Sequence, residues 1–163
     1  MCVNPTDELM RLRNGVVVGG VPVVVAAAAN PDLLLHRVRT VLEIVLVSGQ
    51  GDWPSLSGWS VLLPEWFVVA CAPEQPAGAA DRWLSWWQSL PEPERAQVAA
   101  SRPWTLSGWL YWFEQPNRAW FWSGAGFNDE VAVVELEVES WPTAVGSLEW
   151  LLRAAGADSV EFR

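Results

Sequence analysis

Lysine is absent from the 163 residues, His, Tyr and Ile occur once each (His36, Tyr111, Ile44), and cysteine stands only at Cys2 and Cys71. Each scarcity excludes something. One imidazole and two remote thiols, with no Cys-x-x-Cys spacing, supply neither a zinc ligand set nor a disulfide framework. No metal or cofactor is expected, and a reducing cytoplasm is the expected compartment. Val18-Gly19-Gly20-Val21 has no Gly-Lys-Ser/Thr or Gly-x-Gly-x-x-Gly around it, so it is no phosphate loop. His36, inside Leu33-Leu34-Leu35-His36-Arg37, reads as a surface or half-buried helical residue rather than the base of a triad. Ser55-Leu56-Ser57-Gly58 lacks the Gly-x-Ser-x-Gly elbow. A glycosidase needs only two carboxylates about 5 to 10 Å apart beside aromatic platforms, but no distinct acid pair stands out. No catalytic residue is assigned, and the balance leans away from an enzyme.

Charge is also scarce, at 18% of residues, while 51% are hydrophobic. That is the reverse of a disordered composition. The length suits one domain spanning 1–163, large enough to bury a core without staples. The net charge of −9 argues against a nucleic-acid partner, which needs a positive face. All ten cations are Arg; with the near-absence of Ile, this fits GC-rich codon usage rather than a function.

Tryptophan is the excess, with 13 residues. Each brings a large ring and one N–H that needs a partner when buried. Most are expected in the core, with a minority free for binding.

Arg11-Leu12-Arg13 followed by the apolar run Val16 to Ala29 has the outline of a secretory signal. Asp7 and Glu8 in the would-be basic region, and Gly19-Gly20 with Pro22 inside the run, speak against it. Fourteen residues are too few to span a bilayer as a helix, so no membrane role is expected. The run reads as two short strands, Val16–Val18 and Val23–Ala27, joined by a turn. Thr6–Arg13 before it reads as a capped helix. Asn30 starts a helical turn through His36. Thr40–Val47 and Trp66–Cys71 read as strands, with Ser48–Gly58 a linker between them.

Downstream, Trp83, Trp86, Trp87 and Leu90 form one stripe of a helix, taken as core-facing. Helices follow at Pro93–Ala100 and after Thr105, the latter with the stripe Leu106, Trp109, Leu110 and Phe113. Arg118–Ser123 and Val131–Glu139 alternate as strands, a helix begins near Thr143 or Ser147, Gly156 stops it, and Val160–Phe162 returns as an edge strand. The expected fold is α+β: a mixed or antiparallel sheet of about five to seven strands with three to five helices mainly on one face. Leu56-Ser57-Gly58-Trp59 recurs as Leu106-Ser107-Gly108-Trp109, each followed by a Trp-Phe pair. This raises a half-domain duplication around 1–77 and 78–163.

The functional expectation rests on the C-terminal acids. Residues 127–163 hold eight acids against two Arg, six of the nine net negative charges. On a strand, Glu135, Glu137 and Glu139 share a face, about 7 Å apart at ~3.3 Å rise per residue. With Trp120 and Trp122 beside them they would form a partner-binding patch for a basic protein. The leading expectation is therefore an acidic cytoplasmic protein-binding domain, such as an immunity or inhibitor protein that neutralises a basic toxin or nuclease. The alternative is a small-ligand or carbohydrate-binding module using Trp side chains. A flat acidic-aromatic patch favours the first; Trp lining a concave cleft favours the second.

Overall fold

The computed structural model describes residues 4–14 and 22–163, Ala100 by its backbone only. The expected strand Val16–Val18 and the turn residues Gly19 to Val21 lie outside the described residues. The elements run α1 (Pro5–Asn14), β1 (Val23–Ala27), α2 (Pro31–Ser48), α3 (Leu56–Leu62), α4 (Glu65–Ala70), α5 (Ala79–Ser89), α6 (Glu92–Ser101) and α7 (Leu106–Leu110). A 3-10 turn at Tyr111–Phe113 precedes β2 (Phe121–Phe127), β3 (Val131–Glu137), α8 (Gly146–Ala155) and β4 (Ser159–Phe162). The class is α+β as expected. The described sheet has four strands in the order β2-β3-β1-β4, all antiparallel, rather than five to seven. The described helices number eight rather than three to five.

The lost strands became helix. Thr40–Val47 is the second half of α2, whose buried side chains Leu34, Leu35, Val38, Val41, Leu42, Val45 and Leu46 recur at steps of three and four. That period continues the stripe begun at Leu34, and it outweighs β-branching, which costs a helix only tenths of a kcal/mol per residue. Asn30 caps the helix by accepting the Leu33 N–H at 3.0 Å. Trp66–Ala70 is helical, with Cys71 the extended residue that ends it, because Pro64 stops the preceding turn and its carbonyl accepts from Phe67 and Val68. A six-residue apolar run has no period of its own, so length and flanking proline had to arbitrate.

The two Leu-Ser-Gly-Trp segments fold alike. Ser55 and Thr105 each accept the N–H of the glycine three residues on, at 3.2 and 3.1 Å, opening α3 and α7. A Cβ on Gly108 would sit 2.9 Å from the capping Thr105 Oγ1, so the cap itself demands glycine there. Trp59 and Trp109 are both buried. The Trp-Phe pairs that follow differ: Trp66 and Phe67 lie in α4, whereas Trp120 and Phe121 lead into β2.

The core lies where α2 packs on β2, β3 and α8. Val24, Ala26, Ala132, Val134 and Leu136 meet Leu148, Leu151 and Leu152 of α8 in it. An aromatic chain extends it: Phe67 lies 4.7 Å from Trp109 and 5.3 Å from Trp150, and Phe113 bridges Trp109 to Trp120. Ser147 satisfies two indoles at once, its carbonyl accepting from Trp109 Nε1 at 2.9 Å and its Oγ from Trp120 Nε1 at 3.0 Å. Gly156 ends α8 at φ +118°, where any side chain would be strained, and β4 then pairs with β1 at the sheet edge.

Candidate functional site

The acidic-aromatic face does not form. Trp120 and Trp122 are 3% and 0% exposed, and Glu135 is 2% exposed. A register shift between Trp122 and Gly124 inserts Ser123 into β2, and the whole stretch from Trp122 to Ala125 is buried. Trp122 pairs with Leu136 in the register, not with a glutamate. Glu137 is half-exposed and binds Arg11 of α1 at 2.6 Å, and Glu139 lies past the end of β3. Neither Glu135 nor Glu139 is without a partner. The correction has a plain cause: alternation fixes sides within a strand, but a bulge and a helix laid across the edge decide which side meets water. Trp120 and Trp122 are therefore core residues. Of the three glutamates only Glu137 and Glu139 reach the surface, and the expected patch loses its aromatic anchors.

Exposed aromatics lie elsewhere, on a helical hairpin. Helix α5 carries the predicted stripe of Trp83, Trp86, Trp87 and Leu90, yet none of its residues is buried and Trp86 is 50% exposed. Its closest packing is against α6 alone. Contrary to the core-facing expectation, the stripe faces the neighbouring helix and the cleft beside it. Trp87 Nε1 donates to the Arg95 carbonyl at 2.9 Å. The rings and guanidiniums then alternate: Arg95 over Trp87 at 5.8 Å, Trp87 stacked on Trp83 at 6.0 Å, and Arg102 over Trp83 at 3.7 Å. Cation–π and stacking contacts of this kind hold the hairpin together in place of buried aliphatic area.

Between the hairpin and the body lies a cleft of about 550 Å³. Its walls come from three places. The loop after α4 contributes Glu74, Gln75 and Pro76, and is tied to the body where the Ala72 N–H donates to the Trp104 carbonyl at 2.8 Å. Gly78, at φ +79°, turns the chain into α5 through the left-handed region, which favours glycine. The exit from α6 contributes Arg102, Pro103 and Trp104, leading to Thr105 and Ser107 of the α7 cap. The Trp104 ring backs onto Gly146, where an added Cβ would stand 3.4 Å away.

Polar groups in the cleft are few and placed. Glu74 accepts from the Ser107 N–H at 2.9 Å and from the Ser107 hydroxyl. It is the single carboxylate among the lining residues, so the two-acid arrangement of a glycosidase has no second member there. Cys71 sits just behind Glu74. Burial pushes its thiol up to about 11, and the Glu74 charge adds to the rise. Alkylation by iodoacetamide at pH 8, read by mass spectrometry on the Cys71 peptide, is expected to run roughly a hundredfold slower than on a free thiol, because each pKa unit removes a factor of ten in thiolate. A rate near that of the free thiol would mean the loop is open.

Among the described residues no group of three or more His, Cys, Asp or Glu could hold a metal ion, and no helix is long and apolar enough to cross a membrane. Sequence reasoning missed the cleft because its residues come from three separate segments. The one available signal was the pair of Pro-broken stretches, Ala72–Pro76 and Arg102–Trp104, flanking an amphipathic Trp helix. No protein-family model, curated protein or solved structure matches the chain.

Proposed function

We propose that this protein is a small-ligand-binding module whose site is the cleft lined by Trp83, Trp104, Arg102 and Glu74. The observation that carries the reading is the placement of two indoles in a concavity of about 550 Å³, within the ~300–1,000 Å³ usual for ligand sites, rather than in the core. The other support is the mix of groups. Trp104, Pro76, Ala80, Ala99 and Pro103 offer apolar area, while Arg102, Glu74 and Thr105 offer a small polar set that can fix orientation. Planar rings and the apolar faces of sugars both stack on indole.

The test is a titration of nitrogen-15-labelled protein with 2-naphthol and with cellobiose, one neutral aromatic and one neutral sugar. The expected result is movement of the Trp83 and Trp104 indole signals, assigned through Trp83→Phe and Trp104→Phe, while those of Trp59, Trp109 and Trp122 stay put. Trp104→Ala should weaken binding several-fold, since one stacked ring contributes about 0.5–1.5 kcal/mol. If neither probe moves those two signals, the proposal fails.

A protein-binding role for a basic partner, including the immunity or inhibitor role, is the second reading. It is supported by the charge of −9 and by Trp86, half-exposed on α5. Its surface would be the outer side of the hairpin, not the β3 glutamates.

A further inference from the structure

Arg102 gives the cleft a sign. Five arginines, Arg11, Arg13, Arg118, Arg153 and Arg163, pair with carboxylates, and Arg37 and Arg39 donate to main-chain carbonyls. Arg82, Arg95 and Arg102 have no ion pair among the described residues, although acids outnumber cations 19 to 10, and of these three Arg102 is the one that lines the cleft. Its guanidinium carbon stands over the Trp83 ring, 3.7 Å from the ring centre. Trp83 is itself held from behind by Trp87 at an interplanar angle of 16°. The ring thus covers one side of the cation and limits where it can swing. The N–H edges remain to donate, and a planar fork of this kind matches a carboxylate with two parallel hydrogen bonds. Glu74, the opposite charge in the same lining, is turned to the two Ser107 donors and forms no ion pair with Arg102.

We infer that the cleft selects a ring-bearing monocarboxylate, with Arg102 taking the carboxylate and Trp104 the ring. The inference rests on the ligand-binding reading of this cleft. Arg102 is the one cation among the residues lining the cleft; beside a carboxylate and in a chain of net charge −9, it balances a single negative charge and disfavours a dianion such as a phosphate monoester. The apolar remainder of the wall, Pro76, Ala80, Ala99 and Pro103, suits a flat hydrocarbon ring more than a polyol.

The experiment compares 2-naphthoate with 2-naphthamide, equal in shape and different in charge, by isothermal titration at low salt. Wild type is expected to bind the naphthoate at least about tenfold more tightly, the scale of a hydrogen-bonded charge pair. Arg102→Gln should abolish that preference and keep the naphthamide affinity; Arg102→Lys should restore only part of it. Arg153→Gln, on α8 outside the cleft lining, should change neither. Equal affinity of wild type for both probes would overturn the carboxylate assignment and leave the cleft standing. Binding of neither would overturn the carboxylate assignment, and the ligand-binding reading with it unless cellobiose moves the Trp83 and Trp104 signals. An Arg153→Gln loss as large as that of Arg102→Gln would reduce the effect to net charge and overturn the assignment. Thermal melts of each variant establish that the compared proteins are folded, and the Lys variant keeps the cation on Trp83 if the Gln variant melts early.

Discussion

Glu8→Ala is expected to lower the free energy of unfolding by about 3–5 kcal/mol, the cost of leaving a buried guanidinium without its counter-charge. Glu8 is 1% exposed, unusual for a carboxylate. It accepts from Arg118 through both oxygens, at 2.9 and 2.7 Å, and from the Trp122 main-chain N–H at 2.8 Å. Arg118 also donates to the Trp120 carbonyl and lies against the rings of Phe113, Trp120 and Phe121. Removing Glu8 therefore strands a cation inside an aromatic cage and leaves a strand N–H at the bulge unpaired. Glu8→Gln, which keeps the size and acceptor but not the charge, should fall between wild type and alanine. The double exchange Glu8→Leu with Arg118→Met should recover much of the loss, because a well-packed apolar pair avoids the desolvation cost of both ions. Urea denaturation decides the matter. A Glu8→Ala loss below about 1 kcal/mol would mean that α1 is not held to β2 by this pair.

Trp109→Ala should destabilise by about 3–5 kcal/mol, while Trp86→Ala should cost under about 1 kcal/mol. Both residues sit on amphipathic helical stripes of the same sequence pattern, and the difference lies wholly in what covers them. Trp109 is fully buried, stacks edgewise on Phe67, touches Phe113 and donates to Ser147. Its loss opens a cavity in the aromatic chain and frees a carbonyl. Trp86 has half its surface in solvent and lies 6.5 Å from Trp83. Thermal or urea unfolding of the two variants gives the comparison directly. A Trp86→Ala loss equal to that of Trp109→Ala would mean that α5 packs against something heavier than α6.

Local structure is legible in the chain wherever its cause lies within a few residues. The α2 start, the Thr105 cap, the Gly156 stop, the strand Val23–Ala27 and most of the strand expected at Val131–Glu139 each follow from a cap, a period or a breaker, whereas α1 starts at Pro5 with Asn4, not Thr6, accepting the first free N–H. Errors came where the deciding partner was remote. Val41 and Val45 look like strand residues alone and helix residues beside Leu34 and Val38. Glu135 and Glu137 share an alternation, yet one is buried and the other meets Arg11 from a helix more than a hundred residues earlier. No periodicity carries that information. The cleft was invisible for the same reason: Glu74, Trp83 and Trp104 are brought together only when the hairpin folds back over the loop after α4.

The amino-acid order alone settled the α+β class, the position of most helix ends, and a chemistry short of thiols, imidazoles and phosphate loops. These are matters of composition and of hydrogen bonds or side-chain spacings spanning at most a few turns. Tertiary structure alone decided which indoles face water. Burial depends on what is packed across from a residue, and a tryptophan carries no mark of its neighbour. That is why Trp122 became core, Trp86 became surface, and the ring beneath Arg102 became the wall of a cleft.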